Sequence, residues 1–153
     1  MVRFAADRLF LANDSTMVVT TGNSAMSVFM TMRGEAVSQP RWKSSRHYGP
    51  FRSHAFNPAE KKKRAFQSAL RMALHDVGVT TMPLFLEKIK LKVTVTFYVV
   101  NKTKDIDNML KFLMDAFQTI IYPNDNMVYE VVAKKVIIND QTEFVEFKTM
   151  NLE

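Results

Sequence analysis

The chain has 153 residues, of which 47% are hydrophobic, and this is enough for one compact domain with its own core. Cysteine is absent, which excludes disulfide scaffolds, thiolate metal sites and cysteine nucleophiles. The net charge is +6, and residues 33–64 alone hold nine Lys or Arg against two Glu. Such a segment favours a polyanionic partner, although a solvated loop that only keeps the protein soluble has the same composition.

Residues 1–25 are predicted to be an N-terminal extension of a main domain that covers residues 26–153. Turn-forming residues surround one short possible strand at residues 16–21. Asp7 and Arg8 interrupt the first apolar run, so no signal sequence is expected, and no segment approaches the roughly 20 apolar residues of a membrane span. We therefore expect a soluble cytoplasmic protein with no membrane partner.

The next predicted elements are a strand, a loop and a helix. Residues 26–32 alternate weakly between apolar and polar side chains, which predicts a strand. Residues 38–56 mix basic and aromatic side chains with Pro and Gly, which is typical of a long loop. Asn57 and Pro58 are residue types preferred at a helix start, and apolar residues at helical spacing continue as far as Gly78. A helix is predicted over residues 58–77.

The C-terminal half carries the strongest strand signals. Residues 88–99 alternate strictly, with every second side chain apolar, and predict a half-buried strand. Strands at residues 128–138 and 142–150 follow, and the polar residues 139–141 between them predict a hairpin turn. Together these elements predict a two-layer α+β domain, in which a mixed sheet of about four strands carries its helices on one face.

The stretch DIDNMLKFLMDAFQTIIYPND, residues 105–125, combines carboxylates with a helical apolar stripe. Asp107 is a good N-cap, Asp105 lies just outside it, and two carboxylates at a strand-to-helix junction can point into one cleft. Lys111 lies four residues after Asp107 and therefore on the same helix face. Asp125 falls in a turn by composition. Ordinary roles as caps, exposed ion pairs and turn formers also explain these residues.

In combination, these residues resemble the signature of the RusA-type Holliday junction resolvases of bacteria, prophages and phages. That signature reads approximately D-x-D-N-x-x-K, then D-A, then an Asp pair that opens a strand. The matching residues are Asp105, Asp107, Asn108, Lys111, Asp115, Ala116, Asp125, Val128 and Glu130. The resemblance covers residues 26–150. It departs at Asn124, where the family often has the first Asp of the pair, and this leaves open whether metal binding is weaker here.

The resemblance implies a RusA-like fold and a Mg²⁺-dependent endodeoxyribonuclease that resolves Holliday junctions by paired phosphodiester cleavage in DNA recombination and repair. Asp105, Asp107 and Asp125 would be catalytic residues that hold the metal, and Mn²⁺ could replace Mg²⁺. Lys111 would be a further catalytic residue, which stabilises charge on the phosphoryl oxygens. A homodimer in a bacterial or phage-infected cell is implied, because two symmetric cuts need two symmetric sites.

Basic residues of the loop and of the first helix are expected to contact the backbone of four-way junction DNA, and Trp42 is expected to stack on unpaired bases. The DNA-binding set is Arg41, Trp42, Lys43, Arg46, Arg52, Lys61, Lys62, Lys63 and Arg64. The chain has no Gly-rich phosphate-binding motif, so no nucleotide cofactor is expected.

Alternatives stay open at this point. The chain could be a basic nucleic-acid-binding protein that keeps this fold without cleavage, or a nuclease that acts on flaps or forks. A complete site requires Asp105, Asp107 and Asp125 to converge within about 5 Å of a common point. A helix over residues 108–119 is roughly 16 Å long, and residues 120–125 can span about 20 Å. Asp125 could therefore just return within one subunit, or complete the site across a two-fold dimer interface.

Overall fold

The computed structural model describes residues 9–10, 16–22, 25–38, 58–86, 88–139 and 142–152. The side chains of residues 26–38, 59–86, 88–139 and 142–152 are described with them. The predicted basic loop covers residues 38–56, and all of it after residue 38 lies outside these ranges. Five residues of the predicted DNA-binding set therefore lie outside the described residues: Arg41, Trp42, Lys43, Arg46 and Arg52. Their DNA-binding role stays a prediction.

The described residues form one sheet and two main helices. The strands are β1 (Leu9–Phe10), β2 (Thr16–Gly22), β3 (Ala25–Arg33), β4 (Leu91–Val99), β5 (Val128–Ile137) and β6 (Phe144–Asn151). The helices are α1 (Pro58–Asp76) and α2 (Ile106–Phe117), and a short 3-10 helix (Asp125–Met127) precedes β5. The spatial order of the strands is β1-β2-β3-β6-β4-β5. The β4–β5 pair is parallel and every other pair is antiparallel, so the sheet is mixed.

This architecture confirms the predicted α+β class. The four strands predicted within residues 26–150 are β3, β4, β5 and β6, each within three residues of its predicted bounds. The possible strand at residues 16–21 is β2, which pairs with β3 along its whole length. Part of the N-terminal extension therefore continues the same sheet beyond β3.

The predicted hairpin between the last two strands is wrong. Among the described strands, β5 pairs with β4 alone, and β4 lies between β5 and β6. The physical reason is the crossover through α2, which brings β5 in parallel to β4 and leaves the other edge of β4 to β6. The chain then crosses the end of β4, where the N–H of Ile138 donates to the carbonyl of Val99 (2.9 Å) and the N–H of Val100 donates to Oε2 of Glu143 (2.8 Å).

The core lies between the helices and one face of the sheet. Along β4 the odd-numbered residues, from Leu91 to Val99, are buried and the even-numbered ones are half-buried. The buried face of β4 belongs to one cluster with Leu70 and Leu74 of α1 and with Met109, Leu113 and Phe117 of α2. The opposite face of the sheet, which we call the open face, carries Lys92, Thr94, Thr96 and Tyr98 on β4. The strict alternation in the sequence is thus explained by one covered and one open face.

The end of α1 follows its predicted chemistry. The helix ends at Asp76, and Gly78 has a φ of 88°, which a residue with a side chain rarely adopts. The N–H of Gly78 donates to the carbonyl of His75, and the N–H of Val79 donates to the carbonyl of Leu74, both at 2.9 Å. These bonds satisfy carbonyls that a helix end leaves without partners.

Candidate active site

Asp105 and Asp107 lie together at the start of α2, just after the end of β4. Asp105 is the N-cap, with an extended backbone and no side-chain cap hydrogen bond, and Asp107 belongs to the first turn. The helix thus begins two residues earlier than predicted, within the usual uncertainty of helix ends. Both side chains are exposed. Negative charge is favourable here, because the unpaired N–H groups of a helix start carry partial positive charge.

Lys111 also lies on α2 and is exposed to solvent. Its position four residues after Asp107 places both on the same side of the helix, one turn apart. The Nδ2 atom of Asn108 lies 3.4 Å from Oδ2 of Asp105 and donates a long hydrogen bond to it. The start of α2 therefore presents two carboxylates and one ammonium group to solvent on neighbouring turns.

The loop that leads into α2 is held by two lysines that the sequence analysis missed. Lys104, whose side chain is 17% exposed, donates from Nζ to Oε1 of Glu143 and to the carbonyl of Ala36, both at 2.8 Å. Lys135 donates from Nζ to the carbonyls of Lys102 (2.9 Å) and Lys104 (2.8 Å). The backbone immediately before Asp105 is therefore fixed to β5 and to the segment that precedes β6.

The carboxylate of Glu143 is the partner that accepts the hydrogen bond from the Lys104 ammonium group. Its burial alone would raise its pKa, but the hydrogen bond from Lys104, the N–H of Val100 and the charge of Lys104 together lower it below the ordinary value. The sequence contains one indication that Lys135 holds the loop before α2. Lys135 occupies the helix-facing side of β5, opposite Phe97 on β4, where the alternation predicts an apolar residue.

Asp125 lies far from the start of α2. It opens the 3-10 helix before β5, and because β4 and β5 are parallel, Val128 pairs with Leu91 at the start of β4. Asp105 follows the other end of β4. The eight residue steps along β4 correspond to roughly 26 Å. In one chain, Asp125 and the Asp105–Asp107 pair thus lie at opposite ends of the strands.

The electrostatic surroundings of Tyr122 agree with this position of Asp125. Burial, and then the negative charges of Asp125 and Asp115, raise the pKa of Tyr122 far above its ordinary value. Asp115 is near the end of α2, and the Tyr122 hydroxyl donates to the carbonyl of Met114 at 3.0 Å. The N–H groups of residues 84 and 85 donate to the carbonyls of residues 120 and 121. The chain is therefore fixed at the end of α2 and does not return to Asp107.

The side-chain amide of Asn124 is the N-cap of the 3-10 helix. Its Oδ1 accepts a hydrogen bond from the N–H of Asn126 at 2.9 Å and caps the 3-10 helix. A carboxylate can accept the same bond. Asn124 departs from the family pattern, but it preserves the turn that carries Asp125. Only the negative charge that an aspartate would add at residue 124 is lost.

The donor chemistry of the acidic residues suits a divalent cation. Carboxylate oxygens are the ligands that Mg²⁺ prefers, so Asp105 and Asp107 fit such an ion in type. Within the residues that the structure describes, no group of three or more His, Asp or Glu side chains lies close enough to hold a metal. One chain thus brings together two of the three predicted ligands and places Asp125 elsewhere.

The basic residues at the start of α1 are partly neutralised. Lys62 contacts the carboxylate of Glu35 (3.1 Å), and Lys63 and Arg64 pair with Glu60 at 3.2 and 3.7 Å. These pairs are solvent-exposed and weak, so they can exchange for phosphate contacts at little cost. Lys61 is exposed on the same turn.

The comparisons with known proteins identify the family. The model of the endodeoxyribonuclease RusA family matches residues 34–146, so the chain belongs to this family. Membership indicates an endonuclease that hydrolyses DNA phosphodiester bonds and resolves Holliday junctions, and hence a protein that binds branched DNA. No curated protein matches the chain. Among the helices of the described ranges, none is long and apolar enough to cross a membrane.

Proposed function

We propose that the protein is a Mg²⁺-dependent homodimer that cuts a four-way DNA junction at two symmetric positions, in recombination and repair. Family membership supports the substrate and the type of reaction. The carboxylates at the start of α2 support the choice of a hard divalent cation, for which Mn²⁺ could substitute. A four-way junction has two-fold related strands, so a two-fold dimer supplies one site for each cut.

The metal ligands in this proposal come from two subunits. Asp105 and Asp107 of one subunit would hold the ion together with Asp125 of the partner subunit. The observation that carries this arrangement is the placement of Asp125 and Asp107 at opposite ends of parallel β4 and β5. Two-fold symmetry can place opposite ends of two copies side by side, and it then creates two equivalent composite sites. When bound, the metal would polarise the scissile phosphate and activate a water molecule.

The protein groups have separate tasks. The three carboxylates would hold the ion, and Lys111 would donate to a phosphoryl oxygen as the negative charge on that oxygen grows. Lys61 to Arg64 on α1, and the basic residues of the loop before it, neutralise backbone phosphates, while Trp42 stacks on an unpaired base. Lys104 and Lys135 keep the start of α2 in place through their bonds to the preceding loop.

A subunit-mixing experiment tests the shared site. The full-length Asp107→Asn and Asp125→Asn variants are each assayed on a labelled four-way junction with Mg²⁺, and then after mixing and exchange of subunits. Each variant alone should be inactive, because both of its sites lack one ligand. A mixed dimer has one site that retains both Asp107 and Asp125. Random exchange should therefore restore about a quarter of the wild-type sites, which are seen as nicks in one strand.

The control is Asp76→Asn, which makes the same chemical change at the exposed end of α1 and should leave cleavage at the wild-type level. If mixing never restores nicking although mixed dimers are shown to form, Asp107 and Asp125 act in one subunit and the shared site is wrong. Flap and fork substrates are assayed beside the junction, and faster cleavage of either one would identify a different substrate preference.

A further inference from the structure

The outer edge of β5 is an exposed part of the sheet. β5 is last in the spatial order, so one of its edges pairs with β4, and no strand among the described residues pairs with the other. Val131, Val132, Val136 and Ile137 on this strand are between 37% and 49% exposed. A long apolar edge strand is a template for pairing with another strand, and proteins usually cover or interrupt it.

The backbone groups on this edge can be assigned from one hydrogen bond. The N–H of Ile138 donates to the carbonyl of Val99 on β4, so the even-numbered residues at this end turn their N–H and C=O groups toward β4. Successive residues of a strand alternate in this direction. Val131 and Ala133 therefore turn their N–H and C=O groups outward, where they can pair with another strand.

A second copy of the same strand fits this edge in one register. An antiparallel pair with its two-fold axis at Val132 places Val131 opposite Ala133 of the partner subunit. These are the outward-facing residues, and they would form the hydrogen-bonded pairs. Glu130 then lies opposite Lys134 of the partner subunit in a closely spaced pair, and the symmetry creates this contact twice.

Both charged residues lie on the same face. In the β4–β5 register, Glu130 pairs with Lys92 and Lys134 pairs with Thr96, and these two β4 residues are on the open face. The side chain of Glu130 is 48% exposed even with its ion pair to Lys92 at 3.1 Å. Glu130 can therefore accept a second ammonium group from across the edge.

Neighbouring registers lose this match. An axis at Ala133 places Glu130 opposite Val136, and an axis at Val131 places Glu130 opposite Val132. An axis at Lys134 places the two copies of that lysine against each other, which like charges disfavour. Of these registers, the one centred on Val132 alone pairs opposite charges.

We infer that the outer edge of β5 is the homodimer interface, in which two β5 strands pair antiparallel about Val132 with reciprocal Glu130–Lys134 contacts. This inference rests on the proposed function, because it locates the dimer that the shared site requires. Antiparallel pairing brings the start of one β5, which follows Asp125, beside the end of the other. Lys135 near that end bonds to the loop that carries Asp105.

Charge reversal tests the interface without any cleavage assay. Sedimentation velocity over a dilution series gives the dimer dissociation constant of the full-length protein and of the Glu130→Lys and Lys134→Glu variants. Each variant places like charges opposite each other twice, so the dissociation constant should rise on the order of tenfold or more. An equimolar mixture of the two variants restores opposite charges in both contacts and should dimerise like the wild type.

The matched control is Lys148→Glu, which makes the same charge change on the open face of β6, two strands away from the edge. Its dissociation constant should stay within about twofold of the wild type. Circular dichroism confirms that each variant is folded. Lys134→Glu is the cleaner variant, because Glu130→Lys also removes the ion pair with Lys92.

The inference is overturned if the wild type is a monomer at every concentration, or if the charge variants dimerise as tightly as the wild type. It is also overturned if the mixture of the two variants does not recover. These results are separate from the catalytic proposal. A dimer that responds to the charge changes but cuts no junction would refute the proposed function alone, and a junction-cutting dimer that ignores them would refute the interface alone.

Discussion

The contact between Lys104 and Glu143 offers a direct test of how the start of α2 is held. Glu143→Gln keeps the size of the side chain but removes the charge that faces the Lys104 ammonium at 2.8 Å. The two side chains are only 17% and 12% exposed, so Lys104 would lose the nearer of two charged partners in a poorly solvated place, while Glu35 stays 3.9 Å from its Nζ. Charged hydrogen bonds of this kind contribute about 1.5 to 3 kcal/mol, and we expect Glu143→Gln to lower the free energy of unfolding by about 2 kcal/mol.

The pH dependence of this loss follows from the lowered pKa of Glu143. A carboxyl group with a lower pKa in the folded state stabilises the fold above its unfolded pKa, and the benefit disappears as the pH falls through its folded pKa. Urea unfolding at pH 7 and again in steps below the ordinary value of 4.5 should therefore show wild type and variant converging in acid. Glu146→Gln, on the open face of β6, is the matched control and should cost less than half as much. A difference below about 0.5 kcal/mol at pH 7, or one that persists unchanged in acid, would show that the ionised Glu143 does not stabilise the fold through Lys104.

Three further predictions concern the core, the turn before β5 and the DNA contacts. Phe117 is fully buried and contacts two other aromatic rings, so Phe117→Ala should lower the free energy of unfolding by about 3 to 5 kcal/mol in a urea titration. The control Met72→Ala changes a position that is 66% exposed, and it should cost less than about 0.5 kcal/mol in the same titration. Asn124→Asp should keep the cap on the 3-10 helix and lower the Mg²⁺ concentration for half-maximal cleavage; an unchanged or higher concentration would show that residue 124 does not face the ion. Lys61→Ala should weaken junction binding and reduce the slope of log affinity against log salt by about 0.9, and a slope equal to that of the wild type would remove Lys61 from the DNA interface.

The strands of this fold were predictable because each carries its own local signal. Residues 88–99 alternate so strictly that one face had to be covered, and β4 shows this pattern of burial. The order of the strands was not predictable from the polar residues 139–141. A short turn is compatible with a hairpin and also with a crossing over the end of one intervening strand. The crossover through α2 decided the outcome, and the sequence between β5 and β6 contains no trace of it.

In the candidate site, too, the local part was predictable from the sequence and the part that depends on distant contacts was not. Asp105 and Asp107 are two residues apart at a strand-to-helix junction, so their proximity follows from local structure. The position of Asp125 depends on contacts made by a different part of the chain. The carbonyls of residues 120 and 121 accept hydrogen bonds from residues 84 and 85, in a segment without periodicity, and these bonds fix Asp125 near the end of α2. Chain length allowed a return to Asp107, and these contacts prevent it.

Metal-dependent cleavage that requires Asp107 is tested most directly on a labelled four-way junction beside a linear duplex, with wild-type protein and with Asp107→Asn, each in Mg²⁺ or in EDTA. The expected result is symmetric nicks in the junction alone, which require both the metal and Asp107. Tight, salt-sensitive binding of the junction with no cleavage in any lane would contradict it. The carboxylates of α2 would then be structural, and the basic residues would be the functional part of the protein.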